Sequence, residues 1–212
     1  MMSRLFQQTC TLVAAAMLSF AFSQYSYAGS PAADSKLKPT QAKISKVVLL
    51  PKVELKTSLG NIVIELYPDK APITVANFLK YVDDGHYNGT IFHRVIDNFM
   101  AQAGGFTFDF QRKPTRGTIK NESDNLLENA EGTLAMARLK SPDSASSQFF
   151  INLRANPHLD AHGARLGYTV FAKVIEGYDI VKNIEAQERG MHRSFPNAPN
   201  VAIIIEKASR KK

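Results

Sequence analysis

One arginine, one glutamine, a Phe-Met pair and a glycine turn fall within a single stretch, Phe92-His93-Arg94-Val95-Ile96-Asp97-Asn98-Phe99-Met100-Ala101-Gln102-Ala103-Gly104-Gly105. Such an arginine offers a planar fork of donors that stays charged. Two blocks follow, Gly132-Thr133-Leu134-Ala135-Met136-Ala137-Arg138 and Ser146-Ser147-Gln148-Phe149-Phe150-Ile151-Asn152. They add amide and apolar side chains but no paired nucleophile and base. Ser146-Ser147 has no adjacent base, which argues against a serine hydrolase. His158 and His162 have a spacing that can bind zinc on a helix. Pro157 and Gly163 flank them, however, and no cysteine or third ligand stands near. What remains is hydrogen bonding and electrostatics beside an apolar surface, chemistry that needs no metal, nucleotide or nucleophile.

Taken together, in this order and spacing, the three blocks resemble the cyclophilin family of peptidyl-prolyl cis-trans isomerases over residues 53–206. The resemblance implies catalysis of rotation about X-Pro peptide bonds, without cofactor or metal. The barrier is about 18–20 kcal/mol because rotation destroys amide resonance. A barrier near 20 kcal/mol gives roughly 10⁻² per second, so turnover at about 10² per second requires removing roughly 5.5 kcal/mol. One or two charged hydrogen bonds in a dry pocket can do that.

On this resemblance Arg94 is the catalytic guanidinium. As the C–N bond twists, the prolyl nitrogen becomes pyramidal and regains a lone pair. A donor aimed there stabilises the twisted state more than either planar state. Gln102 matches the glutamine that hydrogen-bonds the substrate backbone. Phe99, Met100, Phe150 and Leu159 match the proline-holding pocket, and Gln148 a second pocket amide. Ala137 and Arg138 match the pair beside the extended substrate, whose backbone can bind a peptide as an added strand. Arg138 stands where the family commonly has Asn; it either tilts preference towards acidic substrates or is a solvated arginine. Two departures stand out. His158 replaces the Trp common in eukaryotic members, which predicts weak binding of cyclosporin-type inhibitors. Tyr168 takes the place of a pocket His, after an insertion at about residues 161–167; its ring still walls the pocket and its hydroxyl can donate.

Residues 53–57 alternate, Ser58-Leu59-Gly60-Asn61 makes a turn, and residues 62–66 alternate again, which predicts a β-hairpin. A helix fits residues 73–84, with Val75, Phe78, Leu79 and Val82 forming one apolar stripe and Gly85 at a left-handed cap. Short β runs separated by Gly, Asn, Asp and Pro fill residues 90–174. Ile180, Val181 and Ile184 suit a second short helix, and residues 201–206 a last strand able to pair with the first. The chain is thus mainly β. The resemblance implies a closed eight-stranded antiparallel β-barrel capped by two α-helices, with no unpaired edges. Asn88-Gly89-Thr90 and Asn121-Glu122-Ser123 fit the glycosylation pattern but read as turn markers in a bacterial protein.

The 212 residues suit one domain, taken as 51–208. The first 28 residues differ from the rest: Arg4, an apolar run over 9–22, then Ser26-Tyr27-Ala28, which fits a signal-peptide cleavage site. Export to the periplasm, or secretion, is expected, with no stable membrane insertion after cleavage. The only cysteine, Cys10, lies in that segment, so the mature form has no thiol chemistry and no disulfide. Residues 29–50 read as a flexible linker. Val47-Val48-Leu49-Leu50 within it could add an edge strand or pack on the barrel, and Pro51 limits it to an edge. The formal charge is +7, of which Arg4 alone falls within residues 1–28. The remaining lysines and arginines are scattered, including a basic tail at 209–212, so nucleic acid is not an expected partner. The expected partners are proline-containing unfolded or extended polypeptides, met by a monomer that assists folding of exported proteins. Two other classes stay open: a peptide-binding module without turnover, for which Arg94 would be unnecessary, and a hollow barrel for an apolar small molecule, which the dense Ile, Val, Leu and Phe alternation disfavours.

Overall fold

The computed structural model describes residues 49–211; the expected export segment 1–28, the linker up to Val48, and Lys212 lie outside them. Leu49 and Leu50 belong to no strand. The predicted hairpin forms from β1 (Lys52–Thr57) and β2 (Gly60–Leu66), with Thr57 opposite Gly60 and a two-residue turn between them. The Thr57 hydroxyl donates to the Gly60 carbonyl at 2.7 Å and accepts from the Leu59 N–H at 3.2 Å, which closes that turn.

Helix α1 (Pro72–Asp83) starts on proline, whose missing N–H costs nothing in a first turn. Asp84 and Gly85, the latter at φ +66°, end it. Val75, Phe78 and Val82 are buried as the stripe requires, and Leu79 packs half-buried at its edge. Phe78 sits at the centre, its ring 5.1 Å from Tyr87, 5.7 Å from Phe149 and 5.1 Å from Phe171. Helix α2 (Tyr178–Ala186) follows Gly177 and buries Val181 and Ile184.

The remaining strands are β3 (Thr90–Ile91), β4 (Arg94–Ile96), β5 (Met100–Ala103), β6 (Thr133–Met136), β7 (Phe149–Asn152), β8 (Val170–Glu176), β9 (Arg189–His192), β10 (Phe195–Pro199) and β11 (Ile204–Lys211). Nine of the eleven strands form one curled sheet in the order β3-β11-β1-β2-β8-β6-β7-β5-β4. Every pairing within it is antiparallel. The expected closed eight-stranded barrel is therefore corrected: the sheet has nine strands and is open between β3 and β4. The two strands are successive pieces of one run of chain with no reversal between them, so they follow each other end to end instead of lying side by side. At Phe92 and His93 the chain leaves β11 for β5: the Phe92 N–H still donates to Ile203, and the His93 N–H already donates to Gln102.

The last strand does pair with β1, but it continues to Lys211, opposite Lys52. Ser209, Arg210 and Lys211 are thus strand residues rather than a tail. Arg210 makes a two-pronged ion pair with Asp83 of α1, and Lys211 pairs with Glu176 at 2.8 Å. Nothing in the alternation of residues 189–199 predicts strands, yet β9 and β10 form a separate two-stranded ribbon. Phe195 anchors it, 4.8 Å from Phe106 and 6.2 Å from His93.

His93 lies buried where the sheet opens, with Nδ1 lacking a hydrogen-bond partner among the described residues. Burial pushes its pKa down to about 4, the Ile91 backbone opposing part of the shift and the Arg94 charge adding to it. Folding therefore favours neutral His93. The resulting stability is complete above the unfolded histidine value of about 6.5 and is lost as pH falls from there towards 4. Its full loss is of order 3 kcal/mol. His86, also lowered chiefly by burial, acts in the same direction. Urea midpoints between pH 7 and 5 should fall more steeply for the natural chain than for His93→Leu; equal slopes would clear His93 of this role.

Candidate active site

Antiparallel register assembles the site. Arg94 on β4 stands opposite Gln102 on β5, Gln102 opposite Phe150 on β7, and Phe150 opposite Ala135 on β6. Strand side chains alternate between faces, so Arg94, Met100, Gln102 and Phe150 share the outer face of the curl. Val95, Ala101, Ala103, Phe149 and Ile151 take the opposite face, among the inner core residues. Nine of the ten residues expected from sequence line one pocket of about 230 Å³: Arg94, Phe99, Met100, Gln102, Ala137, Arg138, Phe150, Leu159 and Tyr168. The tenth, Gln148, lines an adjoining pocket of about 110 Å³.

The apolar floor is not part of the inner core. Met100, Ala135, Phe150, Leu159 and Val170 form a second buried cluster, with Phe99 and Tyr168 packed against it. Tyr168 meets Phe150 edge-on with ring centres 5.6 Å apart. His158 stacks on Phe99 with ring centres 5.6 Å apart but is not itself among the residues lining the pocket. It sits in a single 3-10 turn, Pro157–Leu159, while His162 pairs with Arg165 inside the inserted loop. Among the described residues no three His, Cys, Asp or Glu side chains cluster as metal ligands.

Tyr168 is held at the foot of the inserted loop. Its N–H donates to the Leu159 carbonyl at 2.9 Å, tying pocket wall to pocket floor. Just before it, Gly167 crosses the backbone of residues 159–161 so closely that a Cβ would come within 2.3 Å of the Leu159 carbonyl. Buried Ser123 and Asn121 fix that crossing: Gly167 N–H donates to Ser123 Oγ at 2.8 Å, and Asn121 Nδ2 donates to the Gly167 carbonyl at 3.1 Å. Asn121-Glu122-Ser123 is thus a structural clamp. Asn88, in the other glycosylation-like triplet, accepts from the Ala208 N–H at 2.9 Å.

Sequence reasoning missed the asparagines that support Phe99 and Leu159. Asn156 Nδ2 donates to the Phe99 carbonyl at 2.9 Å and to Asn152 Oδ1 at 2.8 Å. Asn152 in turn donates to Thr133 Oγ1, and Asn129 donates to Asp160. Asn152 lay within a recognised block, but nothing marked the other two, whose partners are distant in sequence. The turn before Phe99 is also braced from afar: Asn98, at φ +51°, donates its N–H to Glu185 of α2 at 2.8 Å.

The polar wall consists of amides and guanidinium groups. Gln102 Nε2 donates to Gln148 Oε1 at 2.8 Å. Gly105 makes room for this pair, since a Cβ there would lie 2.5 Å from Gln148 Cγ. Arg94 is half-exposed and makes no hydrogen bond or ion pair among the described residues. Arg138 is half-exposed but not free: it donates to the carbonyls of Leu139, Lys140, Leu166 and Gly167 and lies over the Tyr168 ring at 4.5 Å. The Ala137 N–H donates to Gln148, whereas its carbonyl accepts no hydrogen bond among the described residues.

The whole domain matches known proteins. Residues 52–209 match the family model of the cyclophilin type peptidyl-prolyl cis-trans isomerases. A peptidyl-prolyl cis-trans isomerase of Acinetobacter baylyi is 53% identical over 157 residues, covering 73% of this chain and 84% of the relative. Peptidyl-prolyl cis-trans isomerase B of Escherichia coli is 48% identical over 157 residues, 73% of this chain and 96% of the relative. A crystal structure of a Cryptosporidium parvum cyclophilin type isomerase superposes with a TM-score of 0.64 at 26% identity, covering 77% of this chain and 98% of that one. The chain therefore belongs to the cyclophilin-type peptidyl-prolyl cis-trans isomerases.

Proposed function

We propose that this chain accelerates cis-trans rotation about X-Pro bonds in unfolded or extended exported proteins, with Arg94 and Gln102 as the catalytic pair. One observation carries the assignment: a guanidinium without an internal partner stands across from Gln102, beside a pocket of about 230 Å³ with an apolar floor. The proline ring seats on Phe99, Met100, Phe150 and Leu159, with Tyr168 as the side wall. Held there, proline stays still while the preceding carbonyl turns. Arg94 donates to the prolyl nitrogen as it becomes pyramidal, an interaction stronger in the twisted state than in either planar one. Gln102, oriented by Gln148, donates to or accepts from the substrate backbone. The free Ala137 carbonyl is suited to receive a substrate N–H as an added strand would supply it. Arg138 braces Tyr168 from a position beside both pockets.

Export rests on the composition of residues 1–28, followed by a segment poor in large apolar side chains. No helix among the described residues is long and apolar enough to cross a membrane. The mature protein is proposed to work as a periplasmic or secreted monomer.

Three measurements test this reading. Arg94→Ala should lose at least about 10²-fold in kcat/KM on an Ala-Pro peptide, near 2.7 kcal/mol, while keeping its native circular dichroism; near-full turnover would refute the role. Gly105→Ala should displace Gln148, cost about fivefold in kcat/KM, roughly one hydrogen bond, and leave the fold intact; undiminished activity would mean the Gln102–Gln148 bond is dispensable. Mass spectrometry of the protein from the cell envelope should find Gly29 at its start, and an intact Met1 would make the segment a retained anchor.

A further inference from the structure

The smaller pocket lies beside the proline pocket and shares Gln102, Ala137 and Arg138 with it. Its remaining wall includes Arg112, Ser146 and Gln148, and no Asp or Glu lines it. The sequence suggested Arg138 as a source of preference for acidic substrates. Its guanidinium is committed to four backbone carbonyls and the Tyr168 ring, so its N–H donors are largely taken up within the fold.

Arg112 is different. It is exposed and makes no hydrogen bond or ion pair among the described residues. Its backbone is nevertheless fixed: it bridges to Phe106, while the Lys113 N–H donates to Gly105 at 3.0 Å and the Thr107 N–H to Gln111 at 3.0 Å. An uncompensated positive charge thus extends from a hydrogen-bonded turn at a pocket wall. Around it, Ser146 and Gln148 offer donors that suit an anionic oxygen.

In an extended peptide, side chains two residues apart point the same way and are about 6.6–7 Å apart. With proline in the larger pocket, the residue two positions away projects into the adjoining one. We propose that this pocket selects substrates bearing an acidic side chain two residues from the proline, with Arg112 as the specificity-determining group. The proposal rests on the isomerase reading of the neighbouring pocket.

The test uses peptides that differ only in carrying Glu, Gln or Lys two positions before proline, and a second set varied two positions after it. Turnover and affinity, the latter by NMR titration, are measured at low and high salt. In one of the two sets the natural protein should favour Glu over Lys by about tenfold at low salt, attraction and repulsion each contributing a few-fold for a partly exposed pair. High salt should shrink the preference. Arg112→Gln should bring it within about twofold, and Arg112→Lys should retain most of it. Equal handling of Glu and Lys in both sets, or a preference that survives Arg112→Gln, would overturn the assignment while leaving the isomerase reading intact. Absence of turnover on every peptide would instead overturn the isomerase reading, and the affinities would still decide the charge preference.

Discussion

The site depends on the antiparallel register that runs from Arg94 through Gln102 and Phe150 to Ala135. A slip of one residue turns every side chain of a strand to the other face. Slipping β5 against its neighbours would put Ala101 and Ala103 on the outer face and force Met100 and Gln102 inwards. The inner core prevents this. Val95, Ala101, Ala103, Phe149 and Ile151 are fully buried against α1 and the far strands. Apolar burial at about 25 cal/mol per Å² fixes the inner face, and alternation then fixes the outer one. The outer surface is specified by what the inner surface cannot give up.

Loops finish what the register begins, and they are held by buried polar side chains. An amide buried without a partner costs roughly 1–3 kcal/mol, so each asparagine that closes a hydrogen-bond chain makes the right loop conformation cheaper than its alternatives. Asn156 does this with its Nδ2 at the Phe99 carbonyl, its Oδ1 having no partner among the described residues, and Asn121 with Ser123 does so at Gly167. One clamp holds Phe99 and the other holds the residue before Tyr168, and both aromatic side chains line the larger pocket. Gly167 and Gly105 serve the same end, allowing a backbone crossing in one case and a side-chain amide in the other.

Charge is handled in two ways around the pockets. Arg138 is locked by carbonyls and an aromatic face, and so behaves as a strut for Tyr168. Arg94 and Arg112 are left without internal partners, and their charges face the two adjoining pockets. The residue type is the same in all three. What separates structure from recognition is whether the fold supplies acceptors for the guanidinium.

Local pattern was enough to read the β1–β2 hairpin, the apolar stripe of α1, the position of α2 and the pairing of the last strand with the first, because each rests on periodicity or turn chemistry within a few residues. The family resemblance named ten candidate residues, eight of them inside the three blocks and Leu159 and Tyr168 beyond them, and all ten line the two adjoining pockets. Tertiary structure alone decided the rest. The opening between β3 and β4 depends on which strand Phe92 and His93 each face. The β9–β10 ribbon is held by Phe195 packing on Phe106 and His93, a contact without local periodicity. The asparagine clamps join residues about 20 to 60 apart in sequence. Arg138 and Arg112 are equally charged on paper. Only the folded chain brings carbonyl oxygens to one and leaves the other bare, because hydrogen-bond satisfaction is a property of three-dimensional neighbours and not of residue type.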